Sequence, residues 1–185
     1  MSETKSPDHP DLPPSVWVQR FAPMAAAGGR VLDVACGSGR HARYFASRGH
    51  LVEAVDRDLG GFLQDPDLVN LRQADIEAEP WPYAGEKIAA VIVTNYLHRP
   101  LLATLVDAVM PGGVLIYETF ALGNARYGRP TRADFLLQPE ELLQVVRGHL
   151  EVRAFENVYV DSPKPAMVQR IVARRAMNPH ESAAF

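Results

Sequence analysis

Apolar and polar positions alternate along this chain in short blocks whose period switches between strand-like and helix-like. Val31, Leu32, Val34 and Ala35 form a near-continuous apolar run, as expected of a parallel strand covered on both faces. Further strands are expected at 51–55, about 68–72, 88–94 and 114–118. Between them, Ser15 is placed to cap a helix over 16–27, with Trp17, Val18 and Phe21 as its apolar positions. Helices are also expected at 41–48, stopped by Gly49, at 101–110 behind Pro100, and at 140–147 behind Pro139. Gly60, Gly61 and Pro66 leave room for only a very short helix after the second strand. The segments 150–160 and 167–174, joined by Ser162-Pro-Lys-Pro165, read as a hairpin. Alternating strands and helices argue an α/β fold with a parallel sheet covered on both faces. A single domain over 15–177 is expected, between a disordered segment 1–14 and a flexible tail 178–185.

The chemistry concentrates where the first strand ends. In Val31-Leu-Asp-Val-Ala-Cys-Gly-Ser-Gly-Arg-His41 a buried strand runs through a glycine turn straight into a helix. Gly37 and Gly39 permit a sharp turn and close approach of a ligand to bare backbone, and the helix presents unpaired N–H groups there. Asp33 lies inside the apolar strand and needs compensation, from a positively charged ligand or from the N–H groups of the turn. A second strand ends in Asp56, roughly 20 residues after the turn, the spacing at which an acid meets ribose hydroxyls in nucleotide-binding α/β folds. These features point to a nucleoside-containing cofactor, the alternative being a structural βαβ turn with a solvated Asp56. Gly37-Ser-Gly-Arg-His-Ala42 also fits the looser dinucleotide fingerprint, and Tyr83 and Lys87 have a spacing used by short-chain dehydrogenases. The segment around that pair is turn-rich, with no helix to bring the two side chains onto one face, so the pair reads as coincidence.

The combination resembles class I S-adenosylmethionine-dependent methyltransferases, over roughly residues 28 to 175. The matching residues are Val31 to Gly39, Val55-Asp56, Gln73-Ala-Asp-Ile76, Val91 to Leu97 and Met110-Pro-Gly-Gly-Val-Leu-Ile-Tyr117. Short length and Phe135-Leu-Leu-Gln-Pro-Glu-Glu-Leu142 look closest to small tellurite-resistance-type or thiopurine-type members. The resemblance implies a Rossmann-like, doubly wound, mostly parallel seven-stranded sheet with an antiparallel last strand, and S-adenosylmethionine as cofactor. It places Asp33, Ala35, Cys36, Gly37, Ser38, Gly39 and Arg40 along the methionine part, with His41 an alternative to Arg40 at its carboxylate. Asp33 would meet the methionine amino group or only brace the glycine loop. Asp56 would accept the ribose hydroxyls, Arg57 cover the adenine, and Asp75 and Ile76 bond and pack on it, unless Asp75 is only a loop cap. Asn95, Tyr96 and Leu97 would line the mouth of the fourth strand. The Asn/Asp-Pro-Pro-aromatic motif of amino- and base-modifying relatives is replaced by Asn95-Tyr-Leu-His98, which argues against those classes.

His98 is a candidate general base, or a helix N-terminal residue without a chemical role. The long connection 118–135 follows the fifth strand, and long loops in compact domains are usually functional or disordered. Its Arg126, Arg129 and Arg132 alternate with Tyr127 and prolines. Together with Glu118 they are expected either to form a substrate lid for an anionic or planar group, or to be a surface loop whose arginines pair with Glu118 or Asp134. Tyr127 is a second candidate catalytic residue. The chain has 185 residues, 47% of them hydrophobic, enough for one good core. A net charge of −3 gives no global nucleic-acid footprint. The single cysteine, Cys36, suits a reducing compartment and reads as buried filler rather than a nucleophile. The six histidines show no metal spacing. Without a signal peptide or a membrane-length apolar run, a cytoplasmic protein is expected. The favoured activity is methyl transfer to a small or exposed acceptor. An RNA or protein acceptor, and a non-catalytic cofactor-binding subunit, are the alternatives.

Overall fold

The computed structural model describes residues 12–62 and 69–177. Residues 1–11 of the expected disordered segment 1–14, the expected tail 178–185, and the end of the expected short helix after the second strand lie outside the described residues. Among the described residues, seven strands are ordered β3-β2-β1-β4-β5-β7-β6 in one sheet. They are β1 (Val31–Val34), β2 (Val52–Asp56), β3 (Val69–Gln73), β4 (Ile88–Thr94), β5 (Val109–Phe120), β6 (Glu151–Val160) and β7 (Ala166–Arg174). The first five are parallel, while β7 runs antiparallel to both β5 and β6. The strand order reverses between β1 and β4, the place where open α/β sheets leave a crevice beyond the carboxyl ends of the strands.

Among the described residues, four short helices cover the sheet: α1 (Val16–Phe21), α2 (Arg40–Ala46), α3 (Leu102–Ala108) and α4 (Glu141–Val146). Alternate residues of each strand face opposite layers. Val31, Ala54, Ile92, Ile116 and Val172 pack with Trp17 and Val18 of α1 and Ala42 and Phe45 of α2. Leu32, Val34, Val91, Val93, Leu115 and Ile171 pack with Leu105 of α3 and Leu142 and Val146 of α4. The doubly wound expectation therefore holds. No helix among the described residues is long and apolar enough to cross a membrane.

Several boundaries depart from those the sequence predicts. The first helix ends at Phe21 and continues as a 3-10 turn over Ala22–Met24, which carries Pro23. A proline has no N–H to continue the α-helical ladder. The expected helix 101–110 opens with a 3-10 turn at Arg99–Leu101 and stops at Ala108. Strand β5 then begins five residues earlier than expected, because Met110-Pro-Gly-Gly113 is a bulge within it: Ile88 pairs with Val109, and the next pair is Ala90 with Val114. Gly112 adopts φ +74° there, and a Cβ on Gly113 would lie 2.9 Å from the Met110 carbonyl oxygen.

Candidate active site at the carboxyl edge of the sheet

The register brings the expected acids to one edge. Asp56 ends β2 opposite Gln73 of β3, and Thr94 ends β4 opposite Glu118 of β5. Two non-glycine residues at this edge hold left-handed backbone, Ala35 after β1 (φ 53°) and Asn95 after β4 (φ 54°). Such strain persists where the surroundings over-determine it, and it clusters at functional sites.

Gly37 and Gly39 do different work. Gly37 has φ +55° and nothing within 4 Å of where a Cβ would project, so space is open above it. A Cβ on Gly39 would lie 2.1 Å from the Phe62 ring. The missing side chain at Gly39 is thus filled by this chain's own phenylalanine, which the sequence reading did not single out. Asp56 adjoins the turn directly. Its Oδ2 accepts from the Gly37 N–H at 2.8 Å and its Oδ1 from the Asp58 N–H at 3.0 Å. A carboxylate has about four acceptor sites, so both oxygens retain capacity for hydroxyl donors. Arg57 is exposed, and its carbonyl accepts from Gln73 Nε2. The Ser38 carbonyl accepts from the Arg43 guanidinium. Cys36 is buried.

Asp33 braces the loop. It is 1% exposed, and its Oδ2 accepts from the Ala42 N–H at 2.9 Å. Gly39 caps α2 without a side chain, so Asp33 does the capping from the neighbouring strand. Burial raises its pKa to about 7, against the lowering effect of the Ala42 hydrogen bond and of Arg40. Arg40 and His41 are not a solvated pair. His41 is 1% exposed: its Nε2 accepts from the Ser15 N–H at 3.1 Å, and Nδ1 stands 3.3 Å from Thr94 Oγ1. That bond leaves the proton on Nδ1, and burial, with Arg40 nearby, pushes the pKa down to about 3. Arg40 reaches the Pro13 carbonyl, and burial lowers its pKa while Glu118 and Asp33 oppose that.

Asp75 caps its loop through Oδ1, which accepts from the Glu77 and Ala78 N–H groups; Ile76 is buried beside it. Asn95, Tyr96 and Leu97 line a cleft of about 280 Å³ together with Glu77, Thr119, Phe120, Pro130 and Phe135. The Tyr96 hydroxyl is buried towards Glu77 without a well-formed hydrogen bond. Burial, then the Glu77 carboxylate, raises its pKa above the usual tyrosine range. Tyr117 donates to the Tyr96 carbonyl at 2.8 Å and fixes this corner from β5. His98 precedes the 3-10 turn, with Nδ1 3.8 Å from Glu77 Oε2, and is not among the residues lining the cleft.

The loop after β5 does not gather its arginines. Arg132 pairs with Asp134 at 2.8 Å on the surface. Arg126 and Tyr127 line a separate cleft with Leu122, Gly123 and Met167, and the Tyr127 ring lies 4.9 Å from that of Tyr159. Arg129 is exposed. Glu118 faces inward, accepting from Ser15 Oγ at 2.7 Å and from Arg170 at 3.1 Å. Arg170 goes on to Glu156 and lies over the Trp17 ring. The loop is held by Arg99, which grips Glu141 with two nitrogens and donates to the carbonyls of Asp134 and Leu136. Arg99 and the cleft residues Glu77, Thr119, Phe120 and Pro130 were not legible in the sequence, although Glu77 directly follows the matched Gln73-Ala-Asp-Ile76.

No family model matches the chain. A malonyl-[acyl-carrier protein] O-methyltransferase from Serratia marcescens is 34% identical over 107 residues, which are 52% of this chain and 40% of that protein. The chain thus spans about two fifths of that relative's length. Among solved structures, an S-adenosylmethionine-dependent methyltransferase from Methanosarcina mazei superposes with TM-score 0.67 at 12% identity, covering 90% of this chain and all of that one. TehB from Haemophilus influenzae gives 0.65 at 16% identity, covering 86% of this chain and 61% of its own. The fold is therefore that of the class I S-adenosylmethionine-dependent methyltransferases.

Proposed function

We propose that this chain transfers a methyl group from S-adenosylmethionine to a small-molecule acceptor held in the cleft beside Asn95, in the cytoplasm. The observation that carries the reading is the union of Asp56 with the open glycine turn at Gly37, next to that cleft. The residues fit the cofactor. The Asp56 oxygens have acceptor capacity for a ribose, Asp75 and Ile76 stand one strand over for the adenine, and the backbone of 35–39 with Arg40 bounds the methionine part. Asn95, Tyr96 and Leu97 would close the cofactor side of the cleft.

Held by Asp56, Arg40 and the backbone of 35–39, S-adenosylmethionine would supply an activated methyl, its sulfur keeping the C–S electron pair as the acceptor's lone pair forms the new bond. The protein's own contribution is then alignment and exclusion of water, which supply most of the rate in such displacements. Phe120, Phe135 and Pro130 exclude water, and the left-handed Asn95 holds the mouth of β4 in a fixed shape. Proton removal by His98, with Glu77 beside it, is the accompanying proposal for an acceptor that must lose a proton. Recognition by Arg126, Tyr127, Arg129 and Arg132 would require the loop to bring them over the cleft.

Calorimetric titration with S-adenosylmethionine, its demethylated product and NAD tests the reading. The first two should bind and NAD should not. Asp56→Ala should weaken that binding by about ten- to a hundredfold, the worth of hydrogen bonds to a charged group. Binding of NAD alone would move the assignment to a dehydrogenase. Cofactor binding without turnover on any acceptor would favour an accessory subunit, and salt-dependent RNA binding a nucleic-acid acceptor.

A further inference from the structure

The charged side chain in the lining of the cleft beside Asn95 is a carboxylate rather than a loop arginine. Three aromatic rings line it, those of Tyr96, Phe120 and Phe135, with Leu97, Pro130, Asn95 and Thr119. Among the described residues, the one carboxylate in the lining is Glu77, and no arginine or lysine lines it. Asp75 fixes Glu77 by accepting its backbone N–H, while the Glu77 side chain stays 46% exposed, 3.8 Å from His98. Two cations stand at the rim over lining rings, outside the lining itself. Arg132 is bound to Asp134 and stands 5.4 Å from the centre of the Phe135 ring. Lys164 stands 6.0 Å from the centre of the Phe120 ring.

Aromatic faces carry negative quadrupole charge and attract cations. A carboxylate among them adds to that attraction and repels an anion, the like-charge device by which sites reject wrong ligands. We propose that this cleft selects a flat aromatic acceptor bearing an amine and rejects the matching carboxylate, with Glu77 as the specificity-determining residue. The proposal rests on the methyltransferase reading above, and it concerns recognition rather than the atom methylated.

The test is calorimetry with tryptamine and indole-3-acetate, one ring system with opposite charges, each titrated into the full chain saturated with S-adenosylhomocysteine. Tryptamine should bind roughly tenfold tighter, and Glu77→Gln should bring the two close to parity, with a thermal melt of the variant checking its fold. Equal affinities, a preference for the carboxylate, or no binding of either probe overturns the proposal. A preference for indole-3-acetate that is lost in Lys164→Ala would assign selection to the rim lysine instead. A tryptamine preference that survives Glu77→Gln removes Glu77 from the role. Should S-adenosylhomocysteine itself fail to bind, the methyltransferase reading falls and the acceptor proposal with it; if it binds and the selectivity is absent, only the acceptor proposal falls.

Discussion

Two buried ionisable residues meet at the start of α2, and their effects on stability oppose each other. Asp33 has its pKa raised from 3.8 to about 7 by burial. Between those values the folded state holds a proton that the unfolded chain has released, so stability falls as pH rises through that window. His41 has its pKa lowered from 6.5 to about 3, again chiefly by burial. Between those values the unfolded chain takes up a proton that the folded state refuses, so stability rises with pH. The contributions should nearly cancel from about pH 4 to 6.5. Urea midpoints measured against pH check this. Relative to the native chain, Asp33→Asn should gain a rising slope across that range, because only His41 remains, and His41→Gln a falling one. Identical slopes in all three would refute the linkage. The sequence marked Asp33 as needing compensation, which is correct. It could not say that the partner is the Ala42 N–H, because a lone carboxylate in a strand is equally satisfied by a ligand.

Helices of six or seven residues do not stand alone in water, so their ends show what holds each element. The α2 entry depends on Gly39, whose φ of +76° costs a side-chain-bearing residue about 1 kcal/mol or more. Gly37 carries the same kind of strain at φ +55° with open space above it. Gly39→Ala should therefore cost more stability than Gly37→Ala, because its methyl also displaces Phe62. In a Phe62→Ala background the two substitutions should converge. Denaturant melts of the six chains decide it, and equal costs in the native background would show that the Phe62 ring yields freely. At this scale the strand–turn–helix unit was plain from the sequence, since its signals lie within a dozen neighbouring residues. The bulge at 110–113 was not: Pro111-Gly-Gly113 reads as a turn before a strand, and only pairing of Val109 with Ile88 draws it inside one.

Across the whole molecule, distant segments close what the elements leave open. Helix α4 begins at a left-handed Glu140 with no side-chain cap. Gln169 of β7, fully buried, accepts from the Leu142 N–H at 2.8 Å and donates to the Gln138 carbonyl at 2.9 Å. Gln169→Leu should destabilise by about 1–3 kcal/mol, the cost of leaving buried polar groups unpaired, while cofactor affinity stays within a few-fold. A loss of affinity without loss of stability would contradict this placement. Ser15 and Glu118 bond across 103 positions of sequence, tying the segment before α1 to the end of β5. By itself, the sequence determined the order of strands and helices, the glycine turn and the acids at the ends of β1 and β2, because periodicity and turn chemistry act between near neighbours. Only the tertiary structure decided which groups meet. It committed Asp33, His41 and Glu118 to internal bonds, filled Gly39 with Phe62, and drew Glu77, Phe120 and Phe135 around one cleft while leaving the loop arginines outside it. Those outcomes depend on side chains from separate strands and loops converging in space, and no local pattern encodes such convergence.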